Sequence, residues 1–134
     1  MLTNHTVMTL FCCKKLGRQR VWVRHILNDV NFHGADQLLI ADKEVRRHEE
    51  FTIRVPVSEL DQYVDAYTWK ALAAEEIQGC FTFGRGDYLV KGIVEEDIGA
   101  PTELMQDHQV YEIVRITENL RGTAYSRHIR LVVQ

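Results

Sequence analysis

The chain has 134 residues, of which 46% are hydrophobic, enough to build one domain around a single core. Its longest apolar runs are far shorter than the roughly 20 residues that span a bilayer, and no basic head followed by an apolar stretch opens the sequence. These features predict one domain over residues 1–134, argue against an integral membrane protein and favour synthesis in a cytoplasm.

The net charge of −3 conceals a segregation of charge along the chain. Residues 1–30 carry five Lys/Arg against one acid, residues 31–112 carry seven against seventeen, and residues 113–134 carry four against one. The three segments therefore have net charges of +4, −10 and +3. If the first and last strands pair, one face is basic and another acidic, which suits docking against charged neighbours. The alternative is that these side chains simply face solvent.

Alternating β-branched and aromatic residues predict short strands through the first half of the chain. These strands are expected over Thr6–Phe11, Arg20–Ile26, Val30–His33, Gln37–Ala41 and Phe51–Val57. The last one has a strict period of two, and Pro56 places it at a sheet edge or ends it there, because proline donates no ladder hydrogen bond. A basic turn that contains Gly17 joins the first two strands.

One segment of the second half has helical spacing instead. Apolar residues from Trp69 to Ile77 predict one short helix over Thr68–Ile77, with Thr68 as its cap and Gly79 as its stop. Gly84–Asp87 then predicts the turn of a hairpin. Its two strands are expected over Phe81–Phe83 and Tyr88–Glu95.

The C-terminal third completes the predicted fold. A helical turn is expected over Pro101–Met105, followed by strands over Gln109–Thr117 and Arg127–Val133. In the final strand, Ile129, Leu131 and Val133 face one way. The whole pattern predicts a mainly β domain, a small antiparallel barrel or sandwich of about seven or eight strands with one short helix.

The candidate chemical sites are weak. Arg85-Gly86-Asp87 matches the tripeptide that integrins bind, but Gly-Asp is ordinary chemistry for an exposed turn and chance explains the match better. Three acids from Glu95 to Asp97 indicate a solvated strand end rather than a metal or two-carboxylate site. The six histidines lack metal-binding spacing, and the three cysteines form no disulfide or zinc pattern. The sequence therefore predicts no catalytic residue, cofactor or metal.

Basic and aromatic residues near the C-terminus suggest a surface that binds nucleic acid. Arg121, Arg127 and Arg130 lie near Tyr125, and arginine with aromatic stacking is typical of phosphate recognition. The acidic chain argues against sequence-specific binding. A protein that encloses DNA without binding it needs a neutral or acidic channel surface, because such a surface forms no salt bridges with the phosphates.

The order of several motifs resembles a family of small structural proteins from tailed phages and prophages. The pieces lie over roughly residues 45 to 130 and comprise Phe51-Thr-Ile-Arg-Val-Pro-Val57, Tyr63-Val64, Tyr67, Leu72 to Glu76 with Gly79, Gly86-Asp87-Tyr-Leu-Val-Lys-Gly92, Glu96-Asp97-Ile98 with Pro101, Asn119-Leu-Arg-Gly122, and Arg127 to Arg130. The chain departs from that family at Leu120, where arginine is usual, and at Phe81, where tryptophan is usual.

The resemblance implies a minor capsid protein of the head–tail connector, with a stopper-like role in head completion. Such a protein forms a ring in the neck of the virion, seals the packaged genome and joins head to tail. Its implied partners are the portal or adaptor ring, tail-completion or tail-tube proteins and further copies of itself. It lies close to packaged DNA without specific contacts, has no membrane association and assembles in the cytoplasm of the bacterial host.

Function in such a ring resides in interfaces rather than in catalysis. Long loops such as Gly34–Glu50 and Gly99–His108 are expected to contact neighbours or the channel. The predicted interface residues are Arg85, Asp87, Glu95, Glu96, Asp97, Arg121, Arg127 and Arg130. A tail-completion or tail-terminator ring protein is the alternative within this class. Outside it, a small-ligand-binding β-barrel and, third, an enzyme of unknown type are the other hypotheses.

Overall fold

The computed structural model describes residues 5–41, 44–122 and 127–134, and of residues 5 and 34–49 only the backbone is described. In these ranges the chain forms one sheet of six antiparallel strands, so the mainly β prediction is confirmed. The strands are β1 (His5–Leu16), β2 (Gln19–Ala41), β3 (Glu44–Pro56), β4 (Tyr88–Lys91), β5 (Val110–Asn119) and β6 (His128–Val133).

The sheet closes on itself in the order β1-β2-β3-β6-β5-β4, because β4 pairs back onto β1. The first and last strands do not pair with each other, since β1 pairs with β2 and β4 whereas β6 pairs with β3 and β5. The predicted number of strands is also wrong. Three predicted strands between Arg20 and Ala41 are one continuous strand, β2, whose backbone stays extended through Gly34 because β3 pairs with it there.

Two further predictions near the middle of the chain need correction. The supposed loop Gly34–Glu50 pairs as a hairpin, Gly34–Ala41 against Glu44–Phe51, and its charged residues had concealed this extended backbone. The predicted strand Phe81–Phe83 makes one isolated bridge, from Phe81 to Tyr63. Gly84–Asp87 does turn, but the strand after it pairs with β1 and β5 rather than folding back as a hairpin.

The prediction of a single helix is wrong as well, since the described residues contain two α-helices and one 3-10 turn at Val57–Glu59. Helix α1 spans Ala66–Ala71 and begins earlier than expected, because Asp65, not Thr68, supplies the cap. The Asp65 carboxylate accepts the Thr68 backbone N–H at 2.7 Å. The helix ends when Leu72 turns to an extended conformation.

Helix α2 spans Pro101–Asp107 and confirms the helical turn predicted there. Proline suits the first helical position, because a backbone N–H at that position would have no hydrogen-bond partner within the helix. The Glu103 carboxylate accepts the backbone N–H groups of Gly99 and Ala100 at 2.6 and 2.7 Å. These two bonds fix the point at which the chain enters the helix.

The main core lies inside the closed sheet. Alternate residues of each strand point inward, as Ile53 and Val55 do in β3, which confirms the period of two predicted there. The inward side of β6 is also confirmed and consists of Ile129, Leu131 and Val133, all fully buried. Burying each such side chain contributes roughly 1.5–3 kcal/mol to folding.

A second, smaller core lies outside the sheet, beneath α2. There Phe11 of β1 and Val90 of β4 pack with Val94 and Leu104. Strand β1 is consequently buried on both faces, with Met8, Leu10 and Cys12 inside and Thr9 and Phe11 outside. This explains why its sequence alternates only weakly, since neither face needs to be polar.

The strand directions define two ends of the closed sheet. The β1–β2 turn, the β5–β6 connection, α1 and the Gly84–Asp87 turn share one end. At the opposite end β2 and β3 continue past their last contacts with β1 and β6, at Asn31 and Phe51. We call this paired extension, Gly34–Ala41 with Glu44–Glu50, the arm.

The Thr9 hydroxyl holds the outer core in place. It donates to the Gly92 carbonyl at 2.8 Å and accepts the Val94 N–H at 2.9 Å, and its residue is fully buried. Gly92 has a φ of 100°, so the chain leaves β4 here in a conformation that favours glycine.

We expect Thr9→Val to lower the free energy of unfolding by about 2–4 kcal/mol, because it leaves two buried backbone groups without a partner. Denaturant unfolding measures this loss, and hydrogen exchange at the Val94 amide should accelerate. Thr117→Val, at an exposed position of β5, is the matched control and should change stability by less than about 0.5 kcal/mol. Equal effects of both variants would contradict this role of Thr9.

Candidate functional site

The eight predicted interface residues fall on three separate segments. Arg85 and Asp87 belong to the turn before β4. The three acids Glu95, Glu96 and Asp97 belong to the segment between β4 and α2. The arginines lie near the C-terminus: Arg121 follows β5, Arg127 precedes β6 and Arg130 lies in β6. The turn and the β5–β6 connection lie at the same end of the sheet, whereas the acids lie against its outer wall.

Asp87 is buried, so the expectation of an exposed acid on this turn is wrong. Its carboxylate accepts the Cys13 N–H at 3.1 Å and the Gly84 N–H at 2.9 Å, which ties the turn to the end of β1. A Cβ on Gly84 would lie 3.0 Å from Asp87 Oδ2, so a side chain at this position would displace the Asp87 carboxylate by a few tenths of an ångström. Arg85 is exposed, but the tripeptide is not presented as a unit, which agrees with a chance match.

Burial is also the main influence on the acidity of Asp87. Removal from water disfavours the carboxylate and raises its pKa to about 7, although the two backbone N–H groups act in the opposite direction. Near neutral pH the Asp87 carboxyl group is therefore present in both its protonated and its ionised form.

Lys14 is a buried cation that lies in β1, although the sequence predicted it to begin the basic turn between the first two strands. It is 3% exposed, and its ammonium donates to the carbonyls of Trp69 and Lys70 at the C-terminus of α1. The ammonium also lies 5.7 Å from the centre of the Trp69 ring. In addition, the Trp69 indole N–H donates to the Cys13 carbonyl at 3.0 Å. Positive charge at a helix C-terminus is stabilising, so these contacts attach α1 to β1.

The acidic segment contains one ion pair that the sequence did not indicate. Arg24 Nε lies 3.1 Å from Asp97 Oδ1, and the Arg24 guanidinium also donates to the Val94 carbonyl. Glu95 and Glu96 are exposed. The prediction that these acids are solvated is confirmed, but β4 ends at Lys91, so they do not form a strand end.

The three predicted arginines near the C-terminus differ in their surroundings. Arg121 and Arg130 are exposed. Arg127 is half-buried, and its enclosed Nε has no hydrogen-bond partner among the residues that the structure describes. The Arg127 carbonyl accepts the Val57 N–H at 3.2 Å, which links β6 to the 3-10 turn. Tyr125, proposed as their aromatic neighbour, lies outside the described residues.

Aromatic side chains fill the end of the sheet next to α1. Phe81, Phe83 and Tyr63 form mutual ring contacts with centroids 5.5–5.9 Å apart, and His25 stacks on Phe81 at 4.0 Å. Burial lowers the pKa of His25. The Tyr63 hydroxyl donates to Glu118 at 2.7 Å, and burial of the phenol raises the pKa of Tyr63. This end of the sheet is therefore packed with side chains.

The cysteines and acids are not arranged as metal ligands or nucleophiles within the described residues. All three cysteines are free, and burial raises the pKa of Cys12 to about 12, which disfavours its thiolate. Within the described ranges no group of three His, Cys, Asp or Glu side chains is placed to hold a metal. None of the helices there has the length and apolar character needed to cross a membrane.

The fold and these contacts define a small closed-sheet protein in which polar side chains attach the turns to β1. Comparison with protein families gives one match, over residues 2–133, to the family of unknown function DUF6751. Because the match covers nearly the whole chain, the protein belongs to this family. No curated protein and no solved structure matches the chain.

The raised pKa of Asp87 predicts a specific pH dependence. Between the ordinary carboxyl value of 3.8 and about 7, the folded protein retains a proton that the unfolded chain has released. Stability contributed by this residue is therefore lost as pH rises through that range. Asp87→Asn lacks this titration, so its stability relative to wild type should improve by roughly 1–3 kcal/mol between about pH 5 and about pH 8.

Denaturant unfolding of both proteins across this pH range measures the difference. Asp97→Asn is the matched control, because the Asp97 side chain is 82% exposed. The control should show no comparable change with pH. A constant stability difference between wild type and Asp87→Asn would contradict the burial effect.

Proposed function

We propose that the chain is a structural protein of the tailed-phage neck, a stopper-like component of the head–tail connector. In this role residues 1–134 form one β-barrel domain, and copies assemble as a ring beneath the portal or adaptor ring. The ring seals the packaged genome and presents a platform for tail-completion or tail-tube proteins. The protein acts in the virion neck after assembly in the bacterial cytoplasm, without catalysis, cofactor or metal.

The arm is the observation that carries this proposal. Its two strands pair with each other from Ala35–Glu50 to Ala41–Glu44, and within the described ranges no third strand pairs with them. An isolated two-stranded ribbon is marginally stable in water, and its outer edges expose backbone groups that favour pairing with another chain. In a ring, a neighbouring subunit pairs with these exposed strand edges and so stabilises the arm.

Several of the motifs that resemble those of tailed-phage structural proteins lie at turns and strand ends. Arg54-Val55-Pro56 closes β3, Gly86-Asp87 turns into β4, and Lys91-Gly92 ends that strand. Asn119–Gly122 leads out of β5. These positions control the direction of the chain, so a family that shares this fold would retain such residues there. The resemblance to connector proteins therefore rests in part on residues that have a structural role in this chain.

The distribution of charge supports a head-to-tail ring contact. Such a contact joins two different patches on neighbouring copies. The exposed members of the predicted interface offer both signs, with Glu95 and Glu96 on the outer wall and Arg85, Arg121 and Arg130 associated with the turn and with β6. Asp87 and Arg127 would act by shaping the turns rather than by direct contact.

The alternatives are distinguishable. A tail-completion or tail-terminator ring would use the same arm but bind the tail tube instead of the portal. A small-ligand-binding barrel requires a dry internal pocket, whereas large buried side chains such as Phe81, Leu10 and Leu131 occupy the interior here. The filled interior favours the connector proposal over that alternative.

Mass determination by light scattering tests the proposal. The purified protein is measured alone, with the portal complex of its own phage, and with the tail tube. A monomer that becomes a ring on the portal supports the stopper role, and a ring that forms only on the tail tube supports the terminator role. A monomer that ignores both would overturn the connector proposal.

A shortened variant tests the arm. Replacing residues 36–49 by Asn-Gly joins the paired residues Ala35 and Glu50 through a two-residue hairpin turn. We expect this variant to fold, with a melting temperature within about 5 °C of wild type, and to bind the portal at least about tenfold more weakly. Asp42→Asn with Lys43→Gly introduces the same dipeptide without shortening the arm and is the matched control. Unchanged assembly of the shortened variant would exclude the arm as the joining element.

A further inference from the structure

A cleft of about 630 Å³ opens at the end of the sheet that carries α1. The β1–β2 hairpin, α1 and the Gly84–Asp87 turn form its walls, and each wall contributes cations. We call it the basic cleft, after four of its lining residues, Lys15, Arg20, Lys70 and Arg85. None of the four is among the residues that build the core.

These four cations are exposed and unneutralised. Within the described ranges no carboxylate forms an ion pair with any of them, and no acceptor holds their side chains. They come from three segments distant in sequence, so only the fold brings them together. The resulting concentration of positive charge attracts an anion.

The remaining charged residues of the basic cleft do not cancel that charge. Lys14 is buried and directed at the carbonyls of α1. Asp87 is the single acid that lines the cleft, and it is buried and bound to the backbone of Cys13 and Gly84. No lining residue therefore neutralises the positive charge at the opening of the basic cleft.

The lining also includes an aromatic surface. Trp22 is half-buried at the basic cleft, and its ring packs against Tyr88 with centroids 5.6 Å apart. Cations beside an aromatic ring are typical of surfaces that follow a nucleic-acid backbone and stack a base. Protein interfaces are depleted in lysine, so the lysines at positions 15 and 70 favour a nucleic acid over an acidic protein segment.

We propose that the basic cleft binds the phosphodiester backbone of a nucleic acid without sequence preference. The four exposed cations contact phosphates, and Trp22 offers a stacking surface for an adjacent base. Phosphate binding is argued from the cleft alone. Its consequence, that this end of each subunit lies next to the packaged DNA, rests on the proposed function.

Fluorescence anisotropy with labelled DNA of about 20 nucleotides, as a single strand and as a duplex, tests the proposal. We expect wild type to bind at about 50 mM salt and to weaken steeply by about 200 mM, as counterion release requires. The variant Lys70→Gln with Arg85→Gln should bind at least about tenfold more weakly, with a salt slope smaller by about 2.

The matched control is Arg54→Gln with Arg115→Gln, which removes the same charge from exposed positions on β3 and β5 outside the cleft. It should retain wild-type affinity. If the first double variant fails to fold, Lys15→Gln with Arg20→Gln makes the same test from the opposite wall.

Absence of DNA binding at the lower salt concentration, or equal losses in variant and control, would overturn the proposal. Binding of polyglutamate in preference to DNA would overturn it in favour of an acidic protein partner. These measurements use the free chain and no portal. A chain that binds DNA through the basic cleft but never forms a ring would overturn the proposed function alone.

Discussion

Burial of β1 on both faces is the constraint on which the rest of the structure depends. Its inner residues Met8, Leu10 and Cys12 join the main core, and its outer residue Phe11 joins the core beneath α2. The same strand pairs with β2 on one side and with β4 on the other, so it closes the sheet. Between Met8 and Cys12 this strand has no solvated face, so any polar group there needs a partner within the protein.

Buried polar side chains meet this need and at the same time position the connections. Thr9 binds the chain that leaves β4, and Lys14 binds the last carbonyls of α1. Asp87 binds the backbone of Cys13 from the turn before β4. Each bond joins β1 to a segment more than 50 residues away, so three connections take their direction from one strand. Such bonds add specificity as well as stability, because an alternative packing would leave a buried group unpaired.

The arm and the basic cleft lie at opposite ends of the sheet, so the two ends of the molecule have different chemistry. At one end, paired backbone continues beyond the sheet, and within the described part of the chain no third strand pairs with its edges. At the other, the turns bring exposed cations around a concave surface. A subunit with different chemistry at its two ends suits an assembly that distinguishes one axial direction from the other, as a connector between a DNA-filled head and a tail must.

The sequence by itself determined the class of the fold and several strand faces. The alternation in β3 and β6, the end of β3 at Pro56 and the helix start at Pro101 all follow from local periodicity and proline chemistry. Joining Arg20–Ala41 into one strand could not be predicted, because the partners of residues 35–41 lie in the charged segment 44–50, which has no alternation of its own.

The tertiary structure alone decided which polar residues are buried and which cations meet. Lys14 and Asp87 belong to sequence patterns typical of exposed turns, yet both are enclosed because α1 and the end of β1 pack over them. The basic cleft likewise combines residues 15, 20, 70 and 85, whose proximity depends on closure of the sheet. Local patterns report the face of a strand or the position of a turn. They do not report contacts between distant segments, because those depend on how the whole chain packs.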